Sequence, residues 1–203
     1  MRIALIILFG FSLAGCSNWV KRPGFAWSNQ SSKSFAILPF RVQTLERELE
    51  PGMTVDDLRE DERKEGIRLQ RDLYRYFLRE LSERGYEISI VQDYNETNRL
   101  LLEKEEQVSV GEDVSVEDLT EHLGVTAVIS GQVQQMVAYA DNVSGLLNGS
   151  LQPERRIEGS FVLQNADDRA LWRYKDVEYG TKENTVYDIS KNLLRKIPKK
   201  FPF

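Results

Sequence analysis

Residues 119–133 read LTEHLGVTAVISGQV, and the fold turns on how this stretch divides. Ser115 stands where a helix N-cap belongs, with Asp118 at the third helical position as a near capping box. Val116 to Leu123 is then a short helix, and Gly124 closes it because glycine takes the left-handed conformation of a helix stop. Thr126 to Ala140 follows as a long β-type run, in which Gly131 permits a bend or bulge. A helix stopped by glycine and followed at once by a strand is a unit of α/β architecture.

The same alternation of types extends in both directions. Upstream, Ser34 to Phe40 (SFAILPF) is a short apolar strand ending at Pro39. Residues 46–65 hold nine acids against four bases and read as a loop leading into a helix. Ile67, Leu73, Tyr74, Phe77, Leu78 and Leu81 recur at helical spacing up to a stop at Gly85. Tyr86 to Val91 alternates as a second strand, and Asp93 to Glu105 is a helix centred on Leu100, Leu101 and Leu102. Downstream come a strand at Arg156–Gln164, a turn at Asn165-Ala166-Asp167-Asp168, a strand at Ala170–Tyr179, and an amphipathic helix Val186–Ile197 stopped by Pro198. The order β-α-β-α-α-β-β-β-α predicts an α/β (α+β mixed) class. About five strands form a mixed sheet, parallel where helices intervene and antiparallel across the late hairpins, with the helices packed on it.

The chain starts with Arg2, an apolar run Ile3–Phe11, and Leu13-Ala14-Gly15-Cys16, whose cysteine is the only one in 203 residues. These are the n-region, h-region and small-residue site of an export signal. Ile3–Ala14 is too short for a transmembrane anchor, which needs roughly 20 apolar residues. The domains expected are therefore a cleaved signal at 1–15, the cysteine and a short tether at 16–33, and one α/β domain at 34–203. The tether holds Pro23, Gly24 and several Ser and Asn. Its Trp19, Phe25 and Trp27 suit either lipid headgroups or the surface of the domain itself. Arg2 is the sole charge removed with the signal, so the mature chain is one unit more acidic than the −5 of the whole. That balance argues against nucleic acid, which needs clustered positive charge. With one thiol, the chain has no second cysteine for an internal disulfide and no set of thiolates for a metal site.

Candidate chemistry is sparse. His122 stands alone beside Glu121, and neither Asp56-Asp57 nor Asp167-Asp168 has the spacing of a paired-carboxylate site. The Asn-x-Ser sequences at Asn142 and Asn148 match a glycosylation pattern that is read in eukaryotic secretion. Arg68, Arg71, Arg75 and Arg79 form one stripe on the long helix. The stripe is either a solvated face paired to Glu65, Asp72 and Glu83 or a docking surface for an acidic partner. Lys191, Arg195, Lys196, Lys199 and Lys200 crowd the last helix before Phe201-Pro202-Phe203. The basic residues suit a helix C-terminus. Phe201 and Phe203 either pack on the domain or dock on a partner or membrane. Gln132, Gln134 and Gln135 fit a solvated sheet face or an edge open to strand pairing.

Together the LAGC box at 13–16, SFAILPF, GYEISIVQ at 85–92, LTEHLGVTAVISGQV and ALWRYKDVEYG at 170–180 carry a resemblance. The first resembles a bacterial lipoprotein signal, which implies diacylglycerol and an N-acyl chain on Cys16 and no other cofactor. Ser17 after it implies the outer rather than the inner membrane, on the periplasmic side. The remaining segments, over about 34–197, resemble the α/β domain of CsgG-like lipoproteins, LpoB-type activators of peptidoglycan synthases and the N-terminal domain of TolB. The resemblance implies a non-enzymatic accessory or assembly factor that contacts an unidentified envelope protein. Its alternatives are an activator of a peptidoglycan synthase and a ring-forming subunit of a secretion apparatus, hence a homo-oligomer. A CsgG-type pore is not expected. The insertion Asp141–Pro153 has only Val143, Leu146, Leu147 and Leu151 as apolar residues, too few for two spanning strands. The 17-residue tether is also short for an activator that bridges far from its membrane.

Overall fold

The computed structural model describes residues 18–21, 34–45, 53–107, 114–139, 153–180 and 184–203. Among these, six strands form one mixed sheet: β1 (Asn18–Lys21), β2 (Phe35–Ile37), β3 (Arg41–Leu45), β4 (Ala127–Tyr139), β5 (Pro153–Asn165) and β6 (Ala170–Gly180). β4 is central. It pairs antiparallel with β5 along its whole length and parallel with both β2 and β3 on its other side. β6 adds antiparallel to β5, and β1 adds antiparallel to β6 as the outer strand. The helices are α1 (Val55–Arg84), α2 (Tyr94–Gln107), α3 (Val116–Leu123) and α4 (Val186–Lys200). The mixed α/β class read from the sequence is the observed one.

The alternation within β2 and β4 sends side chains to two separate cores. Phe35, Ile37, Ala127 and Ile129 face α1 and α4, where Leu69, Leu73, Phe77, Leu193 and Leu194 meet Phe161, Leu163 and Trp172. Ala36 and Val128 face the other way, onto Leu123 and Val125 with Leu100, Leu101 and Val116 of α2 and α3. α1 lies close against β3. A Cβ on Gly66 would sit 2.0 Å from the Phe40 carbonyl oxygen, so only glycine lets the helix approach this near. Phe40 donates its amide to the Gly66 carbonyl, and Thr44 donates its own to Glu62 Oε1 at 2.7 Å. The outer edge of β3 is thereby covered by the helix.

Helix ends follow their capping residues. Thr54 and Asp57 make a reciprocal box at the start of α1, as Thr185 and Asp188 do for α4. Ser115 accepts from the Asp118 amide, and Gly85 and Gly124 take φ values of 72° and 65° at the ends of α1 and α3. Asp168, in the β5–β6 turn, has φ 56°.

Five expectations need correction. The tether reading of 16–33 fails at Asn18–Lys21, which pairs residue for residue with β6; residues 22–33 lie outside the described set. Tyr86–Val91 is not a strand. Ile88–Ile90 form a 3₁₀ turn, and Val91 makes a single parallel bridge to Phe35, because β2 has only three residues to offer beside it. α1 begins at Val55, inside the stretch expected to be a loop, since the Thr54–Asp57 box starts a helix that its Glu-Arg pairs then sustain. Pro198 does not stop α4, which runs on to Lys200; a proline in the last turn forfeits only one helical bond. Gln132, Gln134 and Gln135 are not at an edge, because β4 is paired on both sides. The insertion at 141–152 and both Asn-x-Ser sites fall outside the described residues.

Candidate functional site

Arg68, Arg71, Arg75 and Arg79 do form one stripe, on the side of α1 turned away from its buried Leu69, Leu73, Phe77 and Leu81. The stripe is largely engaged within the molecule. Arg68 meets Glu65 at 3.4 Å, Arg75 meets Asp72 at 3.9 Å, and Arg79 meets Glu83 at 3.8 Å. Arg68 also lies 3.3 Å over the Tyr187 ring, and Arg79 and Arg195 flank Tyr76 at 5.5 and 5.7 Å. Arg71 buries its Nε with no hydrogen-bond partner.

Tyr187, not singled out from the sequence, is the residue that joins the two helices. Its hydroxyl donates to Asp72 Oδ2 at 2.6 Å, and this bond, with burial, raises the phenol above its ordinary range. Asp72 is buried and accepts from a neighbouring helix, a position that helical periodicity alone would assign to the surface. Beside Tyr187 is an open cleft of about 490 Å³. Val42, Leu58 and Val186 make its apolar part and Asp61, Glu62 and Lys64 its rim.

Phe201 and Phe203 fold back onto the domain. Phe201 is 3% exposed and packs 5.1 Å from Phe35, 5.1 Å from Phe77 and 5.5 Å from Trp172. Phe203 stacks on Tyr86 at 5.4 Å and lies under Arg84. The Lys200 carbonyl accepts from Trp172 Nε1 at 3.2 Å, which fixes the turn that folds both rings back. Of the two readings the sequence left open, packing on the domain is the observed one.

A second polar cluster lies between α4 and β6. Lys196 bonds Asp176 at 2.9 Å and also Glu178, and Tyr174 donates to Asp176 Oδ2 at 2.8 Å. Burial works against the Asp176 charge. The bonds from Lys196, Tyr174 and the Val177 amide outweigh it and hold the carboxyl below its ordinary range. Lys196 is raised in turn: its burial opposes the charge and its two carboxylate partners prevail. Burial, then the Asp176 bond, pushes the Tyr174 phenol up.

The remaining sequence candidates have structural partners. His122 Nε2 lies 2.7 Å from the Leu100 carbonyl and links α3 to α2. Asp57 caps α1, Asp56 pairs with Arg59, and Asp168 accepts from Gln164 in the β5–β6 turn. Gln132 and Gln134 donate to Gln43 on the sheet face opposite α1. Among the described residues there is no group of three His, Cys, Asp or Glu suited to a metal ion, and no helix long and apolar enough to cross a membrane. Cys16 lies outside the described residues, two positions before β1.

Charge is segregated between the two helical layers. Over Val55–Arg84, α1 has eight bases against nine acids, and α4 has five bases against Asp188, a net of +3 for that layer. On the layer that covers Ala36 and Val128, Tyr94–Lys104 and Val116–Leu123 hold five acids against Arg99 and Lys104, a net of −3.

No family model matches the chain. No curated protein matches it. Among solved structures it is similar to the PelC dodecamer from Paraburkholderia phytofirmans at 13% identity and a TM-score of 0.48, over 93% of this chain and 100% of that one. A point variant of that dodecamer matches at 11% identity and a TM-score of 0.44, over 90% and 94% of the two chains. Likeness at this level carries neither fold nor function from one chain to the other.

Proposed function

We propose that this chain is a non-enzymatic lipoprotein of the bacterial envelope. In this reading residues 1–15 export it, and Cys16 carries diacylglycerol and an N-acyl chain on the periplasmic side of the outer membrane. The domain works by contact with other envelope proteins as an accessory or assembly factor. The observation that supports this most is the LAGC box ending at the chain's one cysteine. Two or three acyl chains anchor stably where a single chain binds reversibly, at about 0.8 kcal/mol per buried methylene. Mass spectrometry of the full chain expressed in a Gram-negative host tests the anchor. A diacylglycerol-shifted Cys16 peptide is expected, and Cys16→Ala should leave an unprocessed, unlipidated protein. Membrane fractionation that is unchanged in Cys16→Ala refutes it.

The charge segregation favours self-association as a second reading. A basic layer of net +3 and an acidic layer of net −3 on one molecule complement each other between copies. Such a contact is head-to-tail, and head-to-tail contacts close into rings or run on as filaments. Sedimentation in detergent then shows an assembly at low salt that dissociates as salt rises. A monomer at every salt concentration refutes self-association, and co-purification with a peptidoglycan synthase alone supports the activator alternative.

A further inference from the structure

We propose that the end of the sheet where β4 and β6 finish and β5 begins faces the lipid headgroups, with Tyr179 as its interfacial side chain. The inference rests on acylation of Cys16 and goes beyond it, because an anchor on a long tether would set no orientation.

The argument is one of reach. Asn18 stands opposite Lys175, and β1 runs antiparallel to β6. β1 read backward from Lys21 to Asn18 therefore runs the same way as β6 read forward from Trp172 to Lys175. Two residues span at most about 7 Å, which bounds the distance of the Cys16 Cα from that of Asn18. From Lys175 to Tyr179 β6 advances four residues, about 13 Å at the rise of a strand. Even fully extended, Cys16 falls about 6 Å short of Tyr179 along the strand direction. Acyl chains leaving Cys16 for the bilayer then draw the end of β6 down to the headgroups with them.

The surface at that end suits the layer. Tyr179 is 63% exposed, on the sheet face opposite α1 and α4. A tyrosine ring has an apolar body and a polar tip, which is why such rings are enriched where lipid meets water. Directly opposite on β5 is Arg156, with a side chain 35% exposed and paired with Glu158 at 2.9 Å; Lys175 pairs with the same carboxylate, so the three side chains have a net charge of +1. The acidic start of α1 belongs to the far edge of the sheet, beside β3, four strand positions from the anchor. The exposed Ile88 is at the opposite end, next to the start of β2.

With Cys16 blocked by its lipid, the chain has no other thiol, so a single added cysteine takes a dye at one place. Tyr179→Cys and Ile88→Cys are each expressed as the full chain, labelled with a polarity-sensitive fluorophore and reconstituted into phosphatidylcholine–phosphatidylglycerol vesicles containing a headgroup-level nitroxide lipid. At least two-fold quenching is expected at position 179, with position 88 unquenched. An acylated, vesicle-bound protein that is quenched equally at both positions, or only at 88, overturns the orientation and leaves the anchor standing. An unshifted mass with no vesicle binding removes the anchor, and the orientation falls with it.

Discussion

Replacing Phe201 by alanine separates a core residue from a docking residue. The ring is 3% exposed and sits at the junction of four elements: Phe35 of β2, Phe77 of α1, Trp172 of β6 and the chain's last residue, Phe203. None of these neighbours can move into the gap without leaving another ring partner, since Phe77 also packs on Phe35 at 5.3 Å and Trp172 stacks on Tyr174 at 5.9 Å. A cavity in a site that cannot collapse costs about 3–5 kcal/mol for Phe→Ala. At about 2–4 °C per kcal/mol for a domain of this size, the melting temperature drops by roughly 6–20 °C. Phe203→Ala serves as the comparison. That ring is half-buried against Tyr86 and Phe77 and should lose about 1–2 kcal/mol, the low end of buried apolar side-chain values. Guanidinium unfolding followed by circular dichroism measures both, with an unchanged slope confirming that the midpoint shift is one of stability. A Phe201→Ala protein within about 1 kcal/mol of the parent, or no less stable than Phe203→Ala, refutes the core assignment.

Other substitutions probe the remaining contacts. Gly66→Ala gains helix propensity of about 1 kcal/mol. It also drives a Cβ to 2.0 Å from a backbone oxygen that cannot rotate away, so a net loss of about 1–3 kcal/mol is expected in the same unfolding assay. Tyr187→Phe strips the hydroxyl from the buried Asp72 carboxylate, for a loss of about 1–3 kcal/mol, and weakens the hold of α4 on α1. Lys196→Met tests the cluster on β6 through its pH dependence. Asp176 is depressed, so its contribution holds above the ordinary carboxylate value and is lost as pH falls through the folded one. Lys196 is raised, so its contribution holds below the ordinary lysine value and is lost as pH rises through the folded one. The melting-temperature gap between parent and Lys196→Met should therefore be level from about pH 5 to 9 and narrow below about pH 4. A gap that widens in acid contradicts the assignment.

Much of this was legible in the sequence wherever one local rule decided the outcome. Ser115, Gly85 and Gly124 mark helix ends by chemistry that acts within four residues, and all three stand where that chemistry puts them. The β4–β5–β6 meander was readable because long alternating runs admit few other structures. Legibility stopped where a neighbour far along the chain decides. Tyr86–Val91 has the alternation of a strand, but the three residues of β2 leave room for one bridge and no more. Phe201 and Phe203 lie beyond a proline, so local rules place them outside a helix and say nothing of Phe35, some 160 positions earlier, on which Phe201 stacks. Asp72 looked like one more acid on an arginine face; only the approach of α4 reveals that it is buried and bonded to Tyr187.

The four residues of β1 show why the anchor cannot be read apart from the fold. Asn18–Lys21 has no pattern that distinguishes it from a linker, and a strand this short gains nothing alone. It exists because β6 presents an unpaired edge with Trp172 to Lys175 in register, and pairing there satisfies backbone groups on both strands. Residues 18–21, which begin two positions after Cys16, thereby cover an edge. If those residues were free coil, Cys16 would set only a distance from the membrane, and the basic and acidic layers of neighbouring copies would meet at any angle. Held in the sheet, they would turn the proposed covalent anchor into a fixed attitude. In the proposed orientation the two charged layers, which lie to either side of the sheet plane, would face sideways along the membrane. Breaking the pairing without touching the lipid, by prolines at Trp19 and Lys21, separates the two effects. Acylation and membrane fractionation should be unchanged, while quenching at a labelled position 179 falls toward the value at position 88. If quenching at 179 survives with β1 unpaired, the strand is an accessory of the edge alone, and the orientation has another cause.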